Sequence, residues 1–395
     1  MNDEVLDLTK RLISVPGYAE LPEKETNVAR ELFEILRSYE LEPELIDVGS
    51  GRYNVLCTLD SGEKGPVLTL CTHLDTVPPY EMEGAFAPRV CNGRLYGRGA
   101  VDVRGILASM AFAMSRLKRV LPSLRGKIRF LAVADEESGS LGMRHEVRCG
   151  EASSLIIVGE PTELNVGVAH KGVCWLQTEF FGKTAHGSVP DKGHSAILDA
   201  VLAVQEIYNK MVPAFAQRAN PLLGVPTVNV GEFCGGTRTT IVPDHARISI
   251  DRRLVPGESS ETALKELNAL LAACAQENPG MRFRTEVVLG GVNAPYPPLD
   301  SSGKGRIVDL IVATVQKTTG YDRKAVPLSF WTDAALPAYF CGTPAFVIGP
   351  GNIAQAHAND EYVDMEQLSL SAEVYYQLAL AACGVDVPQW WEKTV

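Results

Sequence analysis

Three adjacent carboxylates, Asp135, Glu136 and Glu137, follow the apolar run "IRFLAVA". Other acids and histidines stand in similar places. His73 and Asp75 follow "PVLTLC", Glu160 follows "LIIVG", and "AFVIGPG" leads into "NIAQAH", which ends on His357. Asp102 lies in the Gly-rich stretch "GRGAVDVRG", just ahead of the apolar run "GILASMAFAMSRL". Ligands of open α/β sheets gather beyond the carboxyl ends of strands, so if each apolar run is a strand, these side chains share one rim. Singly, each has an ordinary explanation: a surface His-x-Asp pair, a helix cap at Asp102, turn chemistry at Glu160 before Pro161. Crowded together, the carboxylates repel one another, and a divalent cation is the economical counter-charge. Two histidines with several carboxylates and no cysteine suit zinc, with cobalt or manganese as substitutes. The donors outnumber the needs of one tetrahedral site that must keep room for water. Two ions about 3.5 to 4 Å apart, sharing one carboxylate, would use them and leave positions open for chemistry, with one Glu uncoordinated.

The backbone that would carry these groups reads as an α/β fold. Apolar positions at helical spacing in "ETNVARELFEILRSYEL" (Val28, Leu32, Ile35, Leu36, Tyr39) precede short unbroken apolar runs, "PVLTLCTH", "IRFLAVA", "SSLIIVGE" and later "TPAFVIGPG". Unbroken Val, Ile and Leu runs bounded by Gly or Pro suit strands buried on both faces, hence a mostly parallel sheet with helices on both faces. Between about Val173 and Leu289 the rhythm changes to "VCWLQTEFF", "SAILDAVLAVQEIYNKM", "TVNVGEF", "ARISIDRR", "ETALKELNALLAACAQEN" and "MRFRTEVVL". That β-α-β-β-α-β order is the ferredoxin-like arrangement. The division expected is therefore a discontinuous core, residues 1–172 and 290–395, interrupted by an inserted domain, residues 173–289. A chain of 395 residues is long enough for such a division.

Composition excludes several classes of function. Acidic residues outnumber basic ones 48 to 37, for a formal charge of -11. No block of Lys and Arg could track a phosphate backbone, so nucleic acid is excluded as a partner. The N-terminal "MNDEVLDLTKRLISVPG" carries acids where a signal peptide needs basic residues. Nothing approaches the unbroken apolar length of a membrane span, which predicts a cytoplasmic protein with no membrane partner. Nine cysteines with no C-x-x-C pair argue against a disulfide framework and a thiolate zinc site.

In order, "THLDTVP", "GRGAVDVRG", "ADEESGS", "VGEPT", "GKTAHGSVPDKG", "DRRLVPGE" and "GPGNIAQAHANDEYV" make the chain resemble the M20 family of dinuclear zinc peptidases and amidohydrolases. Within that family, "VGEPTELNVGVAHKG" and "GPGNIAQAHANDEYV" look most like acetylornithine deacetylases. The resemblance implies two zinc ions per chain, with His73 and Glu160 on the first, His357 and Glu137 on the second, and Asp102 bridging. It implies Glu136 as general base, Asp75 as the group that orients His73, and a cis peptide after Asp102. It also implies a homodimer formed through the inserted domain, with His186 of "TAHGS" reaching the partner's active site as oxyanion donor. The substrate class implied is a small N-acyl amino acid or short peptide.

Arg253 in "DRRLVPGE" is a candidate for holding a substrate carboxylate, since a guanidinium fork binds carboxylates bidentately. Gly351 is a candidate for close backbone approach to substrate, with tight-turn geometry as the plainer reading. The chain departs from relatives at Arg104, where many have Lys, and at Thr240, where many have an Asn that helps hold substrate. Glu160, where peptide-cleaving relatives more often have Asp, favours deacylation. Three alternatives compete: a dipeptidase or carboxypeptidase, a catalytically silent ligand-binding homologue, and a dinucleotide site. The last fails because Gly97, Gly99 and Asp102 spell G-x-G-x-x-D and no suitably placed acid follows.

Overall fold

A computed structural model describes residues 3–384. The chain divides into two compact units. One comprises the described residues up to Val168, Ser301–Leu328 and those from Thr332 onward; the other is Ala169–Asp300 with Ser329–Trp331.

The first unit is an α/β fold built on a mixed sheet. Its strands run in the order Pro43–Gly49, Arg52–Asp60, Lys127–Val133, Val67–His73, Leu155–Val158, Ala345–Val347, Val166–His170. The four from Lys127–Val133 to Ala345–Val347 are mutually parallel, as the unbroken apolar runs predict. Leu70, Phe130, Leu131, Ile157 and Phe346 are each inaccessible to solvent, so these strands are covered on both faces. Each such side chain contributes about 1.5 to 3 kcal/mol through burial. The two outer strands before them are antiparallel, and in Arg52–Asp60 burial largely alternates with partial exposure.

Two long helices pack together against this sheet. Gly105–Arg119 is buried along most of its length, including Ile106, Leu107, Met110 and Met114. Met365–Cys383 lies against it and starts where the Asp364 side chain accepts the N–H groups of Glu366 and Gln367. Tyr375 anchors the second helix to the sheet, donating from its hydroxyl to the Ile348 carbonyl at 2.7 Å. A three-stranded sheet is formed by Arg89–Cys91, Arg94–Tyr96 and Tyr362–Asp364. Its hairpin turns at Asn92-Gly93, both with positive φ, the pair best suited to a two-residue hairpin. Pairing Tyr362 with Tyr96 brings the residues before 362 beside those after 96.

In the second unit, strands Thr227–Gly235, His245–Leu254, Gly172–Phe181 and Phe283–Leu289 lie side by side in that order, all antiparallel. Chain order β-α-β-β-α-β with this sheet order is the ferredoxin-like topology. Helices Ala196–Glu206 and Ser260–Glu277 share a core with the sheet, in which Ala200, Ala203, Leu267 and Leu271 meet Leu176, Phe180, Ile248 and Ile250. The alternating burial of His245–Leu254 reflects one covered face. Ser259 and Thr262 form a reciprocal cap at the start of the second helix. Among the described residues, no helix is long and apolar enough to cross a membrane.

Candidate metal centre

The parallel strands deliver their C-terminal residues to one end of the first unit's sheet. His73 is the last residue of its strand and pairs in register with Val133, whose strand runs on into Asp135, Glu136 and Glu137. Glu160 lies two residues beyond Val158, and His357 closes the loop that follows Val347. Asp102 sits in a tight turn, Ala100–Arg104, immediately before the buried helix, with non-helical φ/ψ and a cis peptide to Val103.

These side chains converge. His73 Nε2 is 3.0 Å from Asp102 Oδ1 and 3.7 Å from Glu160 Oε1. His357 Nε2 is 3.2 Å from the other oxygen of Asp102, Oδ2, and 3.3 Å from Glu137 Oε2. Asp102 thus stands between two imidazoles, each with a further carboxylate at its side. Donor atoms of His73, Asp102 and Glu137 all lie within 4.8 Å of one another. Glu137 Oε1 is buried and has no hydrogen-bond partner, the kind of orphaned acceptor that a cation satisfies.

The electrostatics show a shortage of positive charge. Burial, with Glu160 next, raises the pKa of Glu136 well above the ordinary carboxylate value. Burial and then Asp102 raise Glu137, and burial raises Glu160 well above normal. Burial works to lower His73, yet Glu160 and the hydrogen bonds to Asp102 and Asp75 outweigh it and raise it well above 6.5. His357 is raised to about 10 by its hydrogen bonds to Asp102 and Glu137. Asp102 alone moves down: burial opposes ionisation, but the bonds from His357 and His73 prevail.

Asp75 does more than accompany His73. Its two oxygens accept the backbone N–H groups of Glu136 and Glu137, both at 3.1 Å, while its Oδ1 lies 3.4 Å from His73 Nδ1. The same imidazole nitrogen is 3.1 Å from the Asp75 carbonyl. One buried carboxylate therefore links the histidine to the acidic loop. Asp135, at φ 70°, is held from behind by an ion pair to Arg52, whose guanidinium also meets the fully buried Glu25 at 3.5 Å.

Several members of this surrounding shell went unnoticed in the sequence. Glu361, inaccessible to solvent, accepts from the N–H groups of Gly99, Val101 and Asp102 and from Arg98. Asp333 is 1% exposed, and burial raises it to about 6. Glu361 has no local signal, because its partners lie far away in the chain.

Three of the remaining candidates, His186, Thr240 and Arg253, belong to the second unit. In the second unit His186 is exposed, its Nδ1 2.7 Å from Ser188 Oγ, and the Thr240 carbonyl accepts the neighbouring Gly187 N–H at 2.8 Å. Arg253 Nε donates to Asp251 at 3.0 Å. Gly351 belongs to the first unit, and its N–H already donates to Gln367 Oε1 at 2.9 Å. A φ of 80° and contact with Val101 account for glycine at that position.

The profile of Peptidase family M20/M25/M40 matches residues 69–381. The acetylornithine deacetylase of Photorhabdus laumondii is 30% identical over 397 residues, spanning 94% of this chain and 96% of that protein. Among solved structures, aminopeptidase PepT of Bacillus cereus superposes with a TM-score of 0.77 at 23% identity, covering 95% of this chain and 97% of that one. A dinuclear metal binding peptidase of the M20 family from Bacillus subtilis superposes with a TM-score of 0.72 at 18% identity, covering 96% and 97%.

Proposed function

As the chain belongs to peptidase family M20/M25/M40, we propose that it removes the acyl group, acetyl foremost, from an N-acyl amino acid, as an acetylornithine deacetylase does. One observation carries the reading: the two oxygens of Asp102 face different imidazoles, and each imidazole has its own second carboxylate. On that basis His73 and Glu160 would hold one zinc ion, His357 and Glu137 a second, and Asp102 both, with Co2+ or Mn2+ as substitutes. The orphaned Glu137 oxygen and the all N/O donor set fit such a pair.

When bound, the ions would supply Lewis acidity, lowering the pKa of water and polarising the substrate carbonyl. Glu136 takes the proton from the attacking water and passes it to the leaving amine nitrogen. Burial pushes its pKa up, the direction that suits a general base. Asp75 fixes the Glu136 backbone and the His73 ring together. Arg253 is assigned to the substrate carboxylate and Thr240 to the substrate-facing loop beside His186.

The protein works as a homodimer in this reading, joined through the ferredoxin-like unit, with His186 donating to the oxyanion in the partner's site. Support comes from the Thr227–Gly235 strand, which lies at the sheet's edge and exposes Phe233, and from exposed Leu198, Val201 and Tyr208 nearby in sequence. All nine cysteines are unpaired, which suits the reducing cytoplasm. The test is a panel of acetylornithine, acetylcitrulline, succinyl-diaminopimelate and simple dipeptides, assayed with zinc and with cobalt. Hydrolysis of the acetyl compounds with little action on dipeptides is expected; the reverse preference would make the protein a peptidase.

A further inference from the structure

The two halves of the second metal position come from loops far apart in sequence, and a single buried ion pair joins them. Glu361 Oε1 accepts the N–H of Val101 at 3.0 Å and of Asp102 itself at 3.2 Å. Its Oε2 accepts the N–H of Gly99 at 3.0 Å and Arg98 Nη1 at 2.7 Å. The Glu361 carbonyl takes the Gly97 N–H at 3.2 Å, so main chain and side chain both grip residues 97–102. From the other side, Arg98 Nη1 donates to the carbonyl of Ala358, the residue after His357, at 3.2 Å. Its remaining nitrogens are spent on the Pro78 and Pro79 carbonyls. Glu361 and Arg98 are 0% and 1% exposed. Four N–H donors converging on one carboxylate, beside the register imposed by Tyr362 against Tyr96, leave little freedom in the spacing of the two loops.

We propose that Glu361, together with Arg98, is a positioning residue that sets the separation of Asp102 and His357 and thereby the affinity of the metal position those two share with Glu137. The inference rests on the ligand reading given above. It singles out one of the two positions because Asp102 serves both, whereas the staple's other end lies beside His357, a ligand of one position only. The His73 side has a different anchor, Asp75. A support that merely stiffened the fold would weaken both positions together.

Glu361→Gln keeps shape and size but turns an –NH2 towards donors, leaving backbone N–H groups or Arg98 unpaired. The test titrates metal-free full-length protein with Co2+, following heat and visible absorption, for the wild type, Glu361→Gln and Arg98→Lys. Wild type is expected to take two ions in resolvable steps. In Glu361→Gln, one step should stay at wild-type affinity and the other weaken roughly 10- to 100-fold, the usual effect of losing a residue that supports a ligand. Arg98→Lys, which keeps the charge but loses the fork, should show the same one-sided loss in milder form. Hydrolysis by either variant should recover in excess metal. Two unchanged steps, or equal weakening of both, would overturn the proposal. If wild type itself takes fewer than two ions, the ligand reading fails first and carries this inference down with it.

Discussion

Replacing Asp75 with Asn tests how tightly the loop of the proposed base is tied to the proposed metal ligands. Asp75 is 1% exposed and uses both oxygens as acceptors, one for the Glu136 N–H and one for the Glu137 N–H. Asparagine has nearly the same shape but one oxygen, so its –NH2 must face one of those donors. A buried N–H left unpaired costs about 1 to 3 kcal/mol. The same change strips a carboxylate from beside His73 Nδ1, and loss of such an orienting partner typically weakens metal binding about 10- to 100-fold. Charge acts in the opposite direction without metal: Asp75 is among the groups that raise the pKa of buried Glu25 and of Asp333, so neutralising it relieves repulsion. Thermal unfolding in a chelator should therefore change little, whereas competition with a chromophoric chelator should reveal the weakened zinc site. Turnover at saturating zinc should remain below wild type, because the Glu136 backbone has lost its anchor. Undiminished zinc affinity in Asp75→Asn would refute the idea that this carboxylate couples the ligand to the acidic loop.

Three further outcomes are expected. Glu136→Gln should retain its metal content and fold while kcat falls roughly 100- to 10,000-fold, the range for a lost general base; hydrolysis near the wild-type rate would remove Glu136 from that role. His186→Ala should lower kcat about 100- to 1,000-fold with metal binding intact. Mixing it with Glu136→Gln subunits should restore part of the activity, and no recovery after confirmed subunit exchange would rule out action across a dimer. Arg52→Ala should cost about 3 to 5 kcal/mol in urea unfolding of the metal-free protein, since it strands Glu25 and Asp135 as unpaired acids at a protected site, and a smaller loss would show that water reaches them.

The parallel strands were legible because burial on both faces leaves a mark in the residues themselves: Leu155–Val158 and Lys127–Val133 can hardly be anything else once Gly, Pro and polar residues bracket them. The ferredoxin-like order was legible for the complementary reason. His245–Leu254 alternates, and its neighbouring helices carry an apolar stripe of the right period. The outer strands were harder. Pro43–Gly49 holds Glu44 and Asp47 among its apolar residues and is mostly exposed, so hydrophobic pattern alone does not declare it. The Asn92-Gly93 hairpin did carry a readable signal, since that dipeptide favours positive φ at both positions, but its strands are three residues each, too short for periodicity to show.

At the candidate metal centre, the legible residues are those that the proposed chemistry requires to end a strand or to follow a Gly-rich turn, and the illegible ones are those that hold them still. Asp102 and His357 announce themselves by type and place. Glu361, in a stretch of mixed polar residues, does not, because its four donors lie about 260 positions earlier in the chain. Shorter gaps, 27 and 83 positions, still hide Arg52 from Glu25 and Asp135. A buried ion pair between distant segments has no periodicity and no spacing rule; it becomes visible only once the sheet has set which loops are neighbours. Such pairs gain little net stability, because desolvation offsets attraction, so a role in fixing geometry accounts for them better than a role in holding the fold. Removing only one partner is different, because it strands the other charge, so such a loss should show both in unfolding and in how firmly a cation is held.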